Sequence, residues 1–515
     1  MKQWIILSGA FIVLLPAIGQ SEIIPPQKDK KFEQSRRAAF RLILSEEQRK
    51  MVDALPDDSS RSQWAARYWK SLDPTPTTPE NERYEEHLRR FTFARSYYSN
   101  IIPPLYFDDR GRYYIKYGEP SDFSESIGIG KSYLNNLTWA YHDLNLFIDF
   151  VEKETYGYQE VNDLSEAVRS APQNVKAAIA ASLYSERENL HYRYTGFRGT
   201  SSQDVRSVNR FFVEASALLE EKTVSLAQAP TQKYHHDYQA EPLSASLQCA
   251  NFRGDGKETR MEFYYSVPLE EITFVPGQSF ALESHLEKRI SILDRDMVEV
   301  VNKPDHLRLV ANSSNQVQGK LYVNQHDETL EPGMYHVALR LENPQGKRLA
   351  ILKTQIVVRD FTGNRLLLSD LELASQIREN DSGRGLKSNN IQVVPYLPRS
   401  IRRESPLYVY FEIYNLEKNS EGFTEYEVNY TLQTKTGTGN ILTNSVAKIA
   451  PFLVGGRKTQ SVATSFNGSG TSEFQQIYLL LDFSNSPSGK TDFLVTVTDL
   501  VTRQQASTKS GFTLK

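Results

Sequence analysis

The sequence predicts a multidomain α+β plus all-β protein. A helical and small antiparallel-sheet N-terminal domain is followed by two β-sandwich-like domains. Three observations predict this. A chain of 515 residues exceeds one ordinary core. Apolar residues recur at helical spacing before Pro230 and in short alternating runs after Leu243. The 28 Tyr, 27 Gly and 23 Pro suit strands joined by tight turns. The expected division is a signal peptide (1–19), a flexible leader (20–31), an α+β domain (32–165) and a helical extension with linker (166–241). A sandwich (242–378), an exposed linker (379–389) and a second sandwich (390–515) complete it.

Lys2 and the apolar stretch Trp4 to Leu15, then Pro16-Ala17-Ile18-Gly19, have the form of a secretory signal cut near Gly19 or Gln20. No later stretch approaches the roughly 18 apolar residues of a membrane span, so none is expected after signal cleavage. Phe32 to Leu55 reads as helix, broken at Pro56. Asp73-Pro74-Thr75-Pro76-Thr77-Thr78-Pro79 excludes a continuous helix. The next helix carries Tyr84, Leu88, Phe91, Arg95 and Tyr98 at three- or four-residue spacing, a packing face.

Asp108 to Pro120 then reads as turn, strand, turn. Arg112 to Tyr117 supplies an aromatic and β-branched run between Gly111 and Gly118-Glu119-Pro120. Leu137 to Tyr141 and Leu146 to Val151 predict a hairpin across His142-Asp143-Leu144-Asn145. Leu164 to Leu190 and Val205 to Leu226 read as helices, interrupted near Pro172 and Gly196. From Leu243 onward, strands dominate, with turn signals at Gly254-Asp255-Gly256 and Pro332-Gly333. Leu367 to Ile377 reads as an amphipathic connector, and Leu407 to Tyr414 as a core strand of the second sandwich.

The formal net charge of -3 gives no reason to expect nucleic acid or an anionic membrane as partner. The single cysteine, Cys249, excludes an intramolecular disulfide and reads as a small buried hydrophobe. The nine histidines include no His-Glu-x-x-His, and the adjacent pair His235-His236 supplies too few ligands for a metal. Asn467-Gly468-Ser469-Gly470 lacks the spacing of a nucleophile elbow. No catalytic set, cofactor or metal is therefore expected.

The candidate binding or structural residues are Tyr106, Asp109, Arg110, Arg112, Tyr114, Trp139 and Asp149. The charged group beside Gly111 is expected to bracket the start of the strand. Tyr106, Tyr114 and Trp139 would supply an aromatic surface if a ligand binds there. Asp149, within Phe147-Ile148-Asp149-Phe150-Val151, reads as a buried carboxylate that needs an arginine or backbone partner.

The first domain resembles the GWxTD-domain proteins, a bacterial group with secreted multidomain members. The resembling tract runs from Trp69 through Asp73-Pro74-Thr75-Pro76, Asn81-Glu82, Asp109-Arg110-Gly111-Arg112, Tyr114-Ile115, Tyr117-Gly118 and Pro120 to Trp139, Tyr141 and Phe147 to Asp149. Leu105-Tyr106 stands where the family shows Gly-Trp. Phe107 takes the variable place, Asp108 stands for Thr, and Asp109 retains the Asp. Phe252-Arg253-Gly254, Phe263-Tyr264-Tyr265, Leu368 to Ala374, Pro406 to Leu416 and Val497 to Leu500 extend the resemblance, which implies the family's longer architecture.

Together these readings point to a non-catalytic extracytoplasmic structural or protein-interaction protein, periplasmic, envelope-associated or secreted. An envelope or secreted protein is the expected partner. The alternatives are an envelope or extracellular glycan-binding protein and an uncharacterised hydrolase.

Overall fold

The computed structural model describes residues 30–277, 281–379, 391–398, 400–435, 441–443, 448–452, 465–483 and 488–515. The expected signal peptide, leader residues 20–29 and nearly all of the expected linker 379–389 lie outside the described residues. The chain forms two compact units. Residues up to Trp64 and Arg83–His235 make the first, and Ala65–Glu82 with His236–Lys515 make the second.

In the first unit, α1 (Lys30–Leu42) and α2 (Glu46–Ala54) are separated by Ser45. The Ser45 side chain and Gln48 form a reciprocal capping box, which satisfies backbone donors at the helix start. Next come α3 (Asp58–Ser71), whose residues from Ala65 onward belong to the second unit, and α4 (Glu82–Tyr97). The second half of the unit is built on β1 (Asp122–Ser126), β2 (Asn136–Tyr141), β3 (Leu146–Lys153) and β4 (Gly157–Val161). These strands form an antiparallel sheet in chain order. The expected hairpin is β2–β3, with Trp139 opposite Ile148 and Thr138 opposite Asp149.

Every residue of β2 is buried because both sheet faces are covered. One face, with Leu137, Trp139, Tyr141, Ile148 and Phe150, packs against Tyr113, Tyr114 and Tyr117. The other, with Ala140, Val151 and Val161, packs against α6 (Gln173–Ser185) and α7 (Val205–Gln228). Ala177, Ala180 and Ala181 let α6 approach the sheet closely. Residues 166–228, read from the sequence as an extension, thus supply one wall of the same core.

The expected strand Arg112–Tyr117 is a helix, α5 (Asp109–Tyr117). Its aromatic run has strand propensity, but both ends carry helix signals. Asp108 caps the N-terminus, and Gly118 follows the last turn at φ 82. Gly111 has a packing reason as well: a Cβ there would stand 2.4 Å from the Phe107 ring.

The second unit contains two layered β-domains. In the first, a sheet carrying Leu282–Asp294, Glu299–Ala311, Gly333–Asn343 and Arg348–Val358 faces a sheet of Ser246–Arg253, Thr259–Pro268 and Leu321–Leu330. Phe263, Tyr265, Ile290, Ile292, Val337 and Leu339 fill the space between them. In the second domain, the sheet containing Leu407–Tyr414 and Gln475–Asp482 covers the sheet containing Thr424–Lys435, Gly489–Asp499 and Gln505–Leu514. Val409, Phe411, Val428, Leu479, Phe493 and Val495 form that core. The expected connector Leu367 to Ile377 is largely strand. Glu372–Glu379 pairs with Leu407–Tyr414, and Leu371, Leu373 and Ala374 are buried.

The two β-domains share a further apolar cluster, including Phe252, Tyr264, Val393 and Tyr410. Polar contacts reinforce it. The Asn251 backbone N–H donates to Asp370 at 2.9 Å, and the Arg253 guanidinium lies 4.5 Å from the Tyr414 ring centroid. Cys249 is half-buried on Ser246–Arg253.

Candidate functional site

The candidate residues gather around α5, and their arrangement starts with Asp108. Its carboxylate accepts from the Arg110 backbone N–H at 3.0 Å, satisfying an unpaired donor of the first helical turn. It also accepts from the Tyr158 backbone N–H of β4 at 2.9 Å and from the Arg110 guanidinium at 2.7 Å. That guanidinium stacks 4.0 Å from the Tyr158 ring centroid and 4.7 Å from that of Tyr98. Burial pushes the Asp108 carboxyl up, against the opposing pull of Arg110.

Gly157 makes this approach possible. It holds φ 72, and a Cβ there would stand 2.8 Å from the Asp108 carboxylate. Asp109 extends the same tie. It accepts from the Glu160 backbone N–H at 2.9 Å and pairs with Arg112 at 2.8 Å. Glu160 in turn accepts from the Tyr113 hydroxyl at 2.8 Å and from Lys222 at 3.0 Å.

The other end of α5 is held by Arg90. Its guanidinium donates to the Ile115 and Lys116 carbonyls, each at 3.4 Å, and to the Lys233 carbonyl at 3.0 Å. A cation at a helix C-terminus and carboxylates at its N-terminus both oppose the helix dipole. Glu86 pairs with Arg90 at 2.6 Å, and the Tyr141 hydroxyl donates to the Gly118 carbonyl at 3.0 Å. The helix is therefore clamped at both ends by groups from α4, β2 and β4.

The aromatic candidates divide. Tyr114 stacks on Phe93 at 4.6 Å and meets Tyr98 edge-on at 6.0 Å. Trp139 meets Tyr98 at 5.7 Å and Phe150 at 5.3 Å. Both belong to the buried core rather than to an open platform. Tyr106 stands apart at φ 58, with Arg95 5.8 Å from its ring centroid.

Asp149 lies on the opposite sheet face from Trp139, so the two do not converge. Thr138 and Tyr184 donate to its two oxygens, the latter at 2.8 Å. Arg187 donates to the same Thr138 hydroxyl at 2.9 Å, to Asn136 at 2.6 Å and to the Leu183 carbonyl at 2.7 Å. Thr138 thus relays between a buried anion and a buried cation. Burial raises the Asp149 pKa, while the two hydroxyl donors and Arg187 oppose that rise.

Sequence reasoning picked out Asp109, Arg110, Arg112 and Asp149 but not Glu160, Thr138, Tyr184 and Arg187, which hold them, nor Arg90, which holds the far end of α5. Asp108 did carry a local signal: an Asp before a helical turn is a cap. The others are brought in by tertiary packing.

Among the described residues, no group of three or more His, Cys, Asp or Glu side chains is placed to hold a metal ion. No helix among them is long and apolar enough to cross a membrane.

No family model matches the chain, and no curated protein matches it. Among solved structures, a serine-rich repeat protein (Srr2) from Streptococcus agalactiae is 8% identical with a TM-score of 0.18, over 53% of this chain and 94% of that one. CfaE, the adhesive subunit of CFA/I fimbria of enterotoxigenic Escherichia coli, is 10% identical with a TM-score of 0.16, over 55% and 89%. Escherichia coli alpha-2-macroglobulin activated by porcine elastase is 9% identical with a TM-score of 0.17, over 55% of this chain and 23% of that one. At scores this low the matches carry no argument; the layered architecture rests on the strand pairings themselves.

Proposed function

We propose that this chain is a non-catalytic extracytoplasmic structural or protein-interaction protein whose residues 32–165 are a divergent GWxTD-type domain. One observation carries the reading. The charged groups that would do chemistry are engaged within the fold. Asp108 caps α5 and binds Arg110, Asp109 binds Arg112 and the β4 backbone, and Asp149 is held by Thr138 and Tyr184. A general acid or base must reach a substrate proton, and these carboxylates are occupied in holding elements together.

The export signal read from Lys2 to Gly19 supports a periplasmic, envelope-associated or secreted location. The paired β-domains would serve as a spacer, and an envelope or secreted protein is the partner. The test uses the full mature chain as bait in envelope extracts, with a Phe123→Lys/Ile129→Lys variant as control. Phe123 is 61% exposed on the outer strand β1, and Ile129 is 83% exposed just beyond it, so the variant spares the core. The expected result is a reproducible protein partner, with binding lost in the variant at unchanged melting temperature. Absence of any such partner refutes the reading, as does turnover of a substrate that Asp109→Asn abolishes without loss of fold.

A further inference from the structure

The first β-domain is closed along one side by charged groups. Glu299–Ala311 is the edge strand of one of its sheets, and Leu321–Leu330 is the edge strand of the other. The middle of the domain is filled by apolar side chains such as Phe263, Ile290 and Leu339. Along this seam the facing residues are instead Lys303, Asp305, His326 and Glu328, with Lys288 from the neighbouring strand Leu282–Asp294.

Two ties cross from sheet to sheet. Lys303 Nζ meets the Glu328 carboxylate at 2.6 Å. Lys288 Nζ meets His326 Nδ1 at 3.3 Å, and it also pairs with Asp305 of its own sheet at 3.2 Å. His326 Nε2 lies 2.7 Å from Glu328. The strand Thr259–Pro268 contributes the Phe263 ring, 6.4 Å from the imidazole, and Tyr265, whose ring centroid is 5.7 Å from Lys288 Nζ. Lys288 and Glu328 are only 5% and 8% exposed, so water screens these contacts poorly.

This geometry fixes where the imidazole carries its proton. A lysine ammonium has hydrogens to donate and no lone pair. Nδ1 therefore accepts from Lys288, and the one ring proton sits on Nε2 and is donated to Glu328. The closed seam fits a neutral ring. A second proton would fall on Nδ1 and point at the ammonium, so that an acceptor becomes a like charge.

We propose that His326 is an acid-sensitive latch on the open side of the first β-domain. Protonation at Nδ1 breaks the Lys288 tie, parts Glu299–Ala311 from Leu321–Leu330 and exposes both sheet edges. Burial, with Lys288 next, holds the His326 pKa below its ordinary value, against Glu328. The closed domain thus binds this proton more weakly than an opened one does. The tie is at full strength above about pH 6.5 and is lost as pH falls through the lowered value. The latch is independent of the protein-partner reading.

Hydrogen exchange on the full mature chain tests it, read by mass spectrometry from pH 7.5 down to 5.0 and corrected for the intrinsic pH dependence of exchange. Amides of Glu299–Ala311 and Leu321–Leu330 should lose protection below about pH 6.5, by up to tenfold per pH unit, the limit for one proton. Those of Leu407–Tyr414, in the second β-domain, should keep theirs. His326→Gln should flatten the response, because glutamine can accept from Lys288 and donate to Glu328 but cannot take up a proton. Lys288→Met should flatten it too, since no ammonium then opposes a charged His326. Constant wild-type protection across the range would overturn the proposal. So would an acid loss that persists undiminished in either variant; should His326→Gln fail to fold at pH 7.5, Lys288→Met decides by the same criterion.

Discussion

Replacing Arg260 with methionine tests whether the two β-domains act as one body. The Arg260 guanidinium reaches Glu262 of its own strand and Glu412 of the second β-domain, both at 3.1 Å. The Glu262 and Glu412 side chains are 1% and 3% exposed. Neutral donors hold them as well: Tyr264 at 2.6 Å and Gln325 at 3.0 Å take the other oxygen of Glu262, Tyr410 donates at 2.7 Å to the Glu412 oxygen that Arg260 reaches, and Tyr414 donates to its second oxygen. Methionine keeps part of the side chain over Phe252 but removes the cation between two buried anions.

Removing one partner of a buried ion pair costs about 3–5 kcal/mol, because the remaining charge stays desolvated. A loss of that size lowers the melting temperature of a large domain by roughly 10 °C. Calorimetry provides the assay. Wild-type β-domains should unfold in one transition, and Arg260→Met should both lower it and split it in two. The double variant Arg260→Met/Glu412→Gln should recover much of the loss, since glutamine keeps the tyrosine contacts without the charge. A loss below about 1 kcal/mol, the range of an exposed pair, would refute the reasoning.

Two further predictions concern buried carboxylates. Burial, with Glu82 adding, pushes Asp73 up to about 6, while the Thr75 backbone N–H and Lys353 pull it down. The folded form therefore holds its proton more tightly than the unfolded chain does. This contribution is complete below about pH 4 and lost as pH rises through 6, with a ceiling of roughly 3 kcal/mol. Urea denaturation at pH 5 and 7.5 should show Asp73→Asn gaining more stability over wild type at the higher pH. In the first unit, Asp149→Ala should cost about 3–5 kcal/mol by stranding buried Arg187, and Asp149→Asn distinctly less. Equal costs, measured by circular dichroism in urea, would show that charge is not what Asp149 contributes.

The β2–β3 hairpin was legible because its information is local: two apolar runs around His142-Asp143-Leu144-Asn145, with Asn145 adopting φ 47. The sandwich strand Leu407–Tyr414 was legible for the same reason. The ties of Asp149 were not. Its carboxylate depends on Tyr184 and, through Thr138, on Arg187, both contributed by the α6 region, and no local pattern announces that docking. The tract Asp73 to Thr77 had no local signal of its burial either. Its prolines and threonines have the composition of an exposed link, yet Asp73, Thr75 and Thr77 are all buried. Lys353 donates to the Asp73 carbonyl at 2.8 Å, so a polar backbone there is covered by tertiary contact rather than by water.

The α5 error bears directly on the proposed family reading. Aromatic content argued for a strand, but the decisive residues were the flanking Asp108 and Gly118, which set the helix ends. Asp108 stands where the family pattern has Thr, and both residues are good N-caps because each offers a side-chain oxygen to the first-turn donors. Asp109, the retained Asp, occupies the first helical position, where a carboxylate also favours the helix dipole. The change at 105 is tolerable on similar grounds. The left-handed backbone falls on Tyr106, not on Leu105, so leucine meets no positive-φ penalty there. In this chain Tyr106, Asp108 and Asp109 make a helix start: an aromatic at the bend, a cap and a first-turn acid. That role needs residue classes rather than identities, so substitutions that keep the class should leave α5 in place. Asp108→Thr should then preserve the fold, whereas Asp108→Ala should lose the cap and leave the Tyr158 backbone N–H without its acceptor, costing about 2 kcal/mol or more. Equal stability of the two variants in urea would show that capping is not what this position supplies.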